Sequence, residues 1–302
     1  MTSTALRTQL EIRPLVASFG AEITGVDISQ PLSPETIAAI RRAWLDYQVV
    51  FFPEQHLGPD EQTAFTARFG ELTAPSAILA PLDDKHQKVV EFDSRRQPEE
   101  YAKGTRHHGW HVDITFQATP PAGSVFNVVQ LPKVGGATLF ASAQAAYDIL
   151  SEPIKRLIDG LVAVHDVGDL AQRSATISAT GVWEDQQVDG RSIEHPVVAV
   201  HPETGRKGLY VNPQFTRYIK GLAPLESAAL LDLLYDHTLQ PENVIQYRWK
   251  QGGVGFWDNR AIWHRRVADF DPDETRIVHR VQLRGTRPVG PAAGTATPGG
   301  AP

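Results

Sequence analysis

The chain has no cysteine, and its one methionine is the initiator. That absence excludes a disulfide framework, a thiolate-ligated zinc, an iron–sulfur cluster and a thiol nucleophile. Basic charge is not in excess either. The 29 Lys+Arg stand against 35 Asp+Glu, a formal net charge of −6, which argues against a nucleic-acid partner. No run of 18 apolar residues occurs, so no membrane span is expected. The opening MTSTALRTQLEIRP lacks the apolar stretch of a secretory signal, and no internal repeat is visible. The expectation left standing is a cytoplasmic protein acting on a small molecule.

What is present fits one large globular unit. The chain has 302 residues, 41% of them hydrophobic and 21% charged, enough for a sizeable single core. Residues 1–10 read as a flexible N-terminus and 11–286 as one domain. Residues 287–302 read as a disordered Gly/Pro/Ala tail, since 285–302 hold five Gly and four Pro. Ser33-Pro34-Glu35 is a helix start, with Ser as cap and Pro at the first position; Ile37, Ile40, Trp44 and Tyr47 then recur at helical spacing. Further helices are expected over 59–69, 142–150, 152–160 and 224–237. Strands are expected over 48–52, 89–92, 122–130, 161–165, 196–201, 208–212, 244–249, 253–257 and 277–284. The strands are short and do not alternate regularly with helices, which argues against a doubly wound or (β/α)₈ fold. A mostly β protein follows, two sheets in a barrel or sandwich with flanking helices. The long, poorly patterned stretch 166–195 reads as a lid insertion carrying Arg173 and Trp183.

Three segments carry chemistry. In Trp110-His-Val-Asp-Ile-Thr-Phe116, a strand would project His111 and Asp113 to one side. Two His and one carboxylate on one face, with other positions open, suit a non-haem Fe(II) oxygenase. The pair alone is uninformative, because 11 His and 19 Asp in 302 residues give 11 × 19/302, roughly 0.7 such pairs by chance. His201-Pro-Glu203 competes, but Pro-Glu-Thr-Gly reads as a turn that sends Glu203 to solvent. In Phe256-Trp-Asp-Asn-Arg-Ala-Ile-Trp-His264, an apolar strand enters a polar turn that can aim His264 inward. Twelve residues later Arg276 begins a strand on which 276 and 280 share a face, so two cations can enter one cavity; arginine captures carboxylates in bidentate fashion. In Gly135-Gly-Ala-Thr138, a glycine turn leads into a strand on which Thr138 offers a hydroxyl.

Taken in order, these segments resemble the TauD/TfdA family of Fe(II)/2-oxoglutarate-dependent dioxygenases. The likeness also runs through Gly20-Ala-Glu-Ile-Thr-Gly-Val-Asp27, Arg68-Phe-Gly-Glu71, Pro120-Pro-Ala-Gly123 and Arg276-Ile-Val-His-Arg280, and it covers about residues 10–288. It implies a double-stranded β-helix, the cupin-like jelly roll. It implies Fe(II) on His111, Asp113 and His264, with 2-oxoglutarate held through its distal carboxylate by Arg276 and Thr138. O₂ is the other co-substrate, and succinate and CO₂ are the co-products. Asp113 favours hydroxylation over halogenation, because related halogenases lack that ligand. Arg280 matches an arginine that binds the substrate anion in sulfonate-using members. His107 falls near another substrate contact, and Ile114, Phe116 and Tyr210 are candidate apolar walls. A histidine that holds the sulfonate in that branch has no counterpart in Thr73-Ala-Pro-Ser76, which weighs against taurine. Sulfonates, sulfate esters, aryloxyalkanoates, amino-acid-like substrates and specialised metabolites all stay open. The resemblance further implies a homo-oligomer, dimer or tetramer. A jelly-roll metal-dependent hydrolase on the same ligands is the other reading, although it has no use for Arg276 as a 2-oxoglutarate clamp.

Overall fold

A computed structural model describes residues 10–76, 79–95, 107–167 and 192–292. The strands and helices, in chain order, are β1 (Glu11–Pro14), β2 (Ala21–Thr24), α1 (Pro34–Tyr47), β3 (Val49–Phe52), α2 (Pro59–Thr66), β4 (Val90–Asp93), β5 (Gly123–Gln130), β6 (Thr138–Ser142), α3 (Ala143–Asp148), α4 (Glu152–Ile158), β7 (Val162–His165), β8 (Ile193–Pro196), β9 (Val198–Val200), β10 (Lys207–Leu209), β11 (Thr216–Ile219), α5 (Pro224–Thr238), β12 (Val244–Tyr247), β13 (Val254–Asp258), β14 (Ile262–Arg266) and β15 (Ile277–Leu283). The main sheet runs β1-β2-β3-β13-β5-β15-β4, and a smaller one runs β12-β6-β14. Pairing is antiparallel except between β2 and β3. These are the two facing sheets of the jelly roll.

Local chemistry explains the elements that frame it. Ser33 caps α1, its Oγ accepting the Thr36 N–H at 3.2 Å, with Pro34 in the first turn. The helix ends where Gln48 turns left-handed, at φ 65°. It buries Ile40, Ala43 and Trp44 against the main sheet, and Trp44 stacks on Phe256 at 4.3 Å. β3 is apolar on both sides for a reason. Val50 and Phe52 join the core under α1 and α2, whereas Val49 and Phe51 face the small sheet with Phe140, Trp257, Ile262 and Val278. A third core, with Trp263, Leu234 and Tyr235, packs α3 and α5 against the outer face of the small sheet.

Most expected elements recur with trimmed ends. Two differ in kind. The strand expected over 196–201 covers only 198–200 (β9), and Pro196 instead closes the separate β8. The strand expected over 208–212 covers only 207–209 and leaves Tyr210 outside it. The segment around His111 is not a strand. His111 makes one antiparallel bridge, to His264, and 113–116 form a turn. Of the expected tail, 287–292 is described and lies along β9, the Val289 carbonyl accepting the Val200 N–H at 2.8 Å. Residues 1–9, 293–302 and the greater part of the expected lid (168–191, with Arg173 and Trp183) lie outside the described residues.

Candidate active site

His111, Asp113 and His264 converge between the two sheets, their ligand atoms all within 4.8 Å of one another. The convergence is a backbone effect. His111 and His264 face each other across a single antiparallel bridge, His264 N–H donating to the His111 carbonyl at 2.9 Å and His111 N–H to that of His264 at 3.1 Å. Their rings therefore lie side by side, 4.2 Å apart. The turn after Val112 swings Asp113 to the same point, its Oδ1 3.6 Å from His111 Nε2 and 3.7 Å from His264 Nε2. Asp113 and His111 thus do meet, but through a turn and not through strand alternation. His111 Nδ1 donates to the Gly109 carbonyl at 2.9 Å, which leaves Nε2 with the lone pair a metal needs.

The electrostatics favour ligation. Burial opposes the charge on Asp113, but Arg280, His264 and His111 outweigh it and hold the carboxyl well below the usual range. Burial, with His111 next to it, pushes His264 down to about 3, so its ring is neutral and free to bind a cation. Asp113 Oδ2 accepts from Ser124 Oγ at 2.8 Å and Gln282 Nε2 at 3.0 Å, and Asn259 Nδ2 donates to the same Ser124 Oγ at 3.0 Å. Sequence reasoning missed Ser124 and Gln282. Gln282 had a usable signal, being two residues beyond Arg280 on the same face of β15.

A second feature lies on the same sheets. Arg276 is 2% exposed. Its Nε donates to the Gly136 carbonyl at 3.1 Å and its guanidinium sits 5.5 Å from the Phe126 ring, yet Nη2 is buried with no partner. Burial first, then the nearby Arg266, depresses its basicity. A buried cation with an unmet donor matches a carboxylate ligand. The Gly135-Gly136 turn has a part here that the sequence did not show. Gly136 N–H donates to Asp269 Oδ1 at 2.7 Å, and a Cβ on Gly135 would lie 2.4 Å from the Asp269 carbonyl oxygen. Thr138 Oγ1 accepts from Trp249 Nε1 at 2.9 Å, so its own proton remains to be donated. Trp249 was also missed. It fits because Gly255 is bare, a Cβ there falling 2.6 Å from the indole.

The other expected contacts divide. Arg280 reaches the site, but its Nη1 is spent on Asp113 Oδ1 at 2.7 Å; its Nε is buried and unpartnered. His107 turns towards α5 and pairs with Asp236 at 2.7 Å. Ile114 is buried with φ 57°, a strained setting for a β-branched residue. Phe116 packs on Phe215 at 5.1 Å, and Phe215 meets the His111 ring edge-on at 6.2 Å. Tyr210 belongs elsewhere, in a cavity of about 350 Å³ that it lines with His201, Arg260 and Arg287 and none of the three ligand residues. Glu203 is not a free solvent charge, since it pairs with Arg260 at 2.9 Å and with Arg41.

A jelly roll that gathers two imidazoles and a carboxylate beside a buried, unsatisfied arginine defines a non-haem iron oxygenase of the 2-oxo-acid-dependent class. The chain belongs to the TauD/TfdA family, for the family model described as "Taurine catabolism dioxygenase TauD, TfdA family" matches residues 11–282. It is 35% identical over 300 residues to an alpha-ketoglutarate-dependent sulfate ester dioxygenase of Pseudomonas putida, covering 96% of each chain. It is 34% identical to a (S)-phenoxypropionate/alpha-ketoglutarate-dioxygenase of Sphingobium herbicidovorans, covering 89% of this chain and 98% of that one. The crystal structure of a putative alpha-ketoglutarate-dependent taurine dioxygenase from Burkholderia xenovorans superposes with a TM-score of 0.81 at 39% identity, over 94% of this chain and 95% of the other. The protein is an Fe(II)- and 2-oxoglutarate-dependent dioxygenase. Among the described residues no helix is long and apolar enough to cross a membrane.

Proposed function

We propose that this enzyme oxidises a C–H bond of a small anionic substrate, a sulfate ester or an aryloxyalkanoate, and that His111, Asp113 and His264 hold the iron. The observation that carries the co-substrate assignment is Arg276 Nη2, a buried cationic donor with nothing to bond. In this reading Arg276 and the Thr138 hydroxyl grip the distal carboxylate of 2-oxoglutarate. The chemistry that Fe(II), 2-oxoglutarate and O₂ supply when bound is C–H oxidation coupled to formation of succinate and CO₂. The chain's own work is placement. Ser124 and Gln282 orient Asp113, the Gly109 carbonyl fixes the His111 tautomer, and the apolar core between the sheets excludes water. Arg280 supplies positive charge beside Asp113 with its Nε still open, which suits an anion. The relatives include a sulfate ester dioxygenase and a phenoxypropionate dioxygenase beside a putative taurine dioxygenase, and it is the lack of a histidine in Thr73–Ser76 that weighs against taurine. Hydroxylating the carbon that bears the ester or ether oxygen gives a product that collapses to a carbonyl compound and free sulfate or phenol. Within the same reading the enzyme is a cytoplasmic homo-oligomer, on family resemblance alone.

The test adds Fe(II) and 2-oxoglutarate under argon, then air, across alkyl sulfates, aryloxyalkanoates and sulfonates. Succinate is expected to form in step with sulfate or phenol, and His111→Ala and Asp113→Ala to abolish both. Release of sulfate or phenol that persists without O₂ would favour the hydrolase and defeat this reading.

A further inference from the structure

Beyond the residues around the metal point lies a closed ring of buried polar groups that the proposed chemistry does not use. Thr115, two residues past Asp113, accepts a hydrogen bond from Asn212 Nδ2 at 3.0 Å, and its Oγ1 is 3.1 Å from His165 Nδ1. The far nitrogen of His165 lies 3.4 Å from Thr216 Oγ1, which accepts the Asn212 N–H at 2.8 Å. Thr115, Asn212, His165 and Thr216 are all buried. Burial, with His195 adding to it, pushes His165 down to about 3, so the ring of contacts is uncharged at neutral pH.

The other end of Asn212 points to the second half of the metal site. Its Oδ1 accepts the Phe215 N–H at 3.0 Å, and Phe215 meets the His111 ring edge-on. One side-chain amide therefore holds the turn that carries Asp113 and the aromatic wall that backs His111. The turn needs holding. Ile114, between Asp113 and Thr115, has φ 57°, which an isolated β-branched residue avoids. Strain of that kind persists only where neighbouring contacts over-determine the backbone.

We propose that Asn212 and Thr115 are positioning residues for the iron, locking the strained turn so that Asp113 is already in place before the metal arrives. This rests on the reading of His111, Asp113 and His264 as the metal ligands. The test titrates the metal-free enzyme under argon with Co(II), reading affinity and the visible absorption of the bound ion. Thr115→Val keeps the shape and removes the hydroxyl. It is expected to weaken Co(II) binding about tenfold, the lower end for groups that orient a ligand, and to shift the absorption bands. Thr115→Ser is expected to restore both, and Asn212→Ala to follow Thr115→Val. Wild-type affinity and an unchanged spectrum in Thr115→Val would overturn the proposal. Should that variant not fold, the same result in Asn212→Ala would do so. Failure of the wild-type enzyme to bind Co(II) at all would instead remove the ligand assignment beneath it.

Discussion

At the residue scale, Arg276 shows how a site can be recognised by what it leaves unsatisfied. A buried guanidinium is costly, and this one keeps a terminal nitrogen without a partner. Replacing it by an apolar side chain of similar volume removes that cost. Arg276→Leu is therefore expected to melt, without ligands, no lower than wild type. It is also expected to raise the KM for 2-oxoglutarate about 30-fold, the equivalent of about 2 kcal/mol for a charged hydrogen bond. A thermal melt and a steady-state titration check the two halves, and a marked loss of stability in the ligand-free variant would contradict the first. The sequence pointed to Arg276 because motif order singled it out. It could not point to Trp249, Ser124 or Asn212. Their bonds span 111 positions to Thr138, 11 to Asp113 and 97 to Thr115, and neither tryptophan nor serine nor asparagine at such distances marks a pattern.

At the scale of elements, the turn joining β13 to β14 delivers His264, and its polar residues are structural. Asp258 is buried: its Oδ1 accepts from Arg260 Nε at 2.8 Å and from the Arg260 backbone N–H at 2.9 Å, and its Oδ2 accepts from Arg260 Nη2 at 2.7 Å and from His201 Nε2 at 2.9 Å. Burial opposes the charge, but Arg260 and His201 overcome it and bring Asp258 down to about 2. Because the folded value lies below the unfolded one of about 3.9, the stabilisation is complete above that pH and is lost as pH falls through about 2. Asp258→Asn should then cost roughly 2–3 kcal/mol near neutrality, by the same linkage. Urea unfolding at pH 7 and at successive values below 4 is expected to show the gap between wild type and variant closing. A gap that stayed constant down to pH 2 would place the effect outside the ionisation of Asp258. This turn is legible in the sequence as a turn, whereas the segment over 110–116 has the pattern of a strand. The reason is that its alternating apolar and polar residues mimic strand period, while the left-handed step at Ile114 depends on contacts from β7 and the segment before β11 that no local pattern encodes.

At the scale of the whole molecule, the candidate site draws on both sheets. Arg276, at the threshold of β15, belongs to the main sheet with Arg280, while Thr138 on β6 and His264 on β14 belong to the small one. His111 and Asp113 hang from the bridge to β14. Unfolding separates the sheets and destroys every part of the site together, so metal and co-substrate bind only the native state and stabilise it by mass action. A ligand at a hundredfold excess over its Kd adds about 2.7 kcal/mol, which for a chain of this length raises Tm by about 4 °C. The dependence on each residue separates the two ligands. With Co(II) present under argon, 2-oxoglutarate is expected to raise the melting temperature of the wild type further, and Arg276→Leu to lose about two-thirds of that increment while keeping the metal's own. Asp113→Ala is expected to lose both, because the co-substrate's remaining carboxylate and keto oxygen have no metal to chelate. An unchanged 2-oxoglutarate shift in Arg276→Leu would show that the co-substrate does not lie across the two sheets at that arginine, and would return the unsatisfied Nη2 to some other ligand.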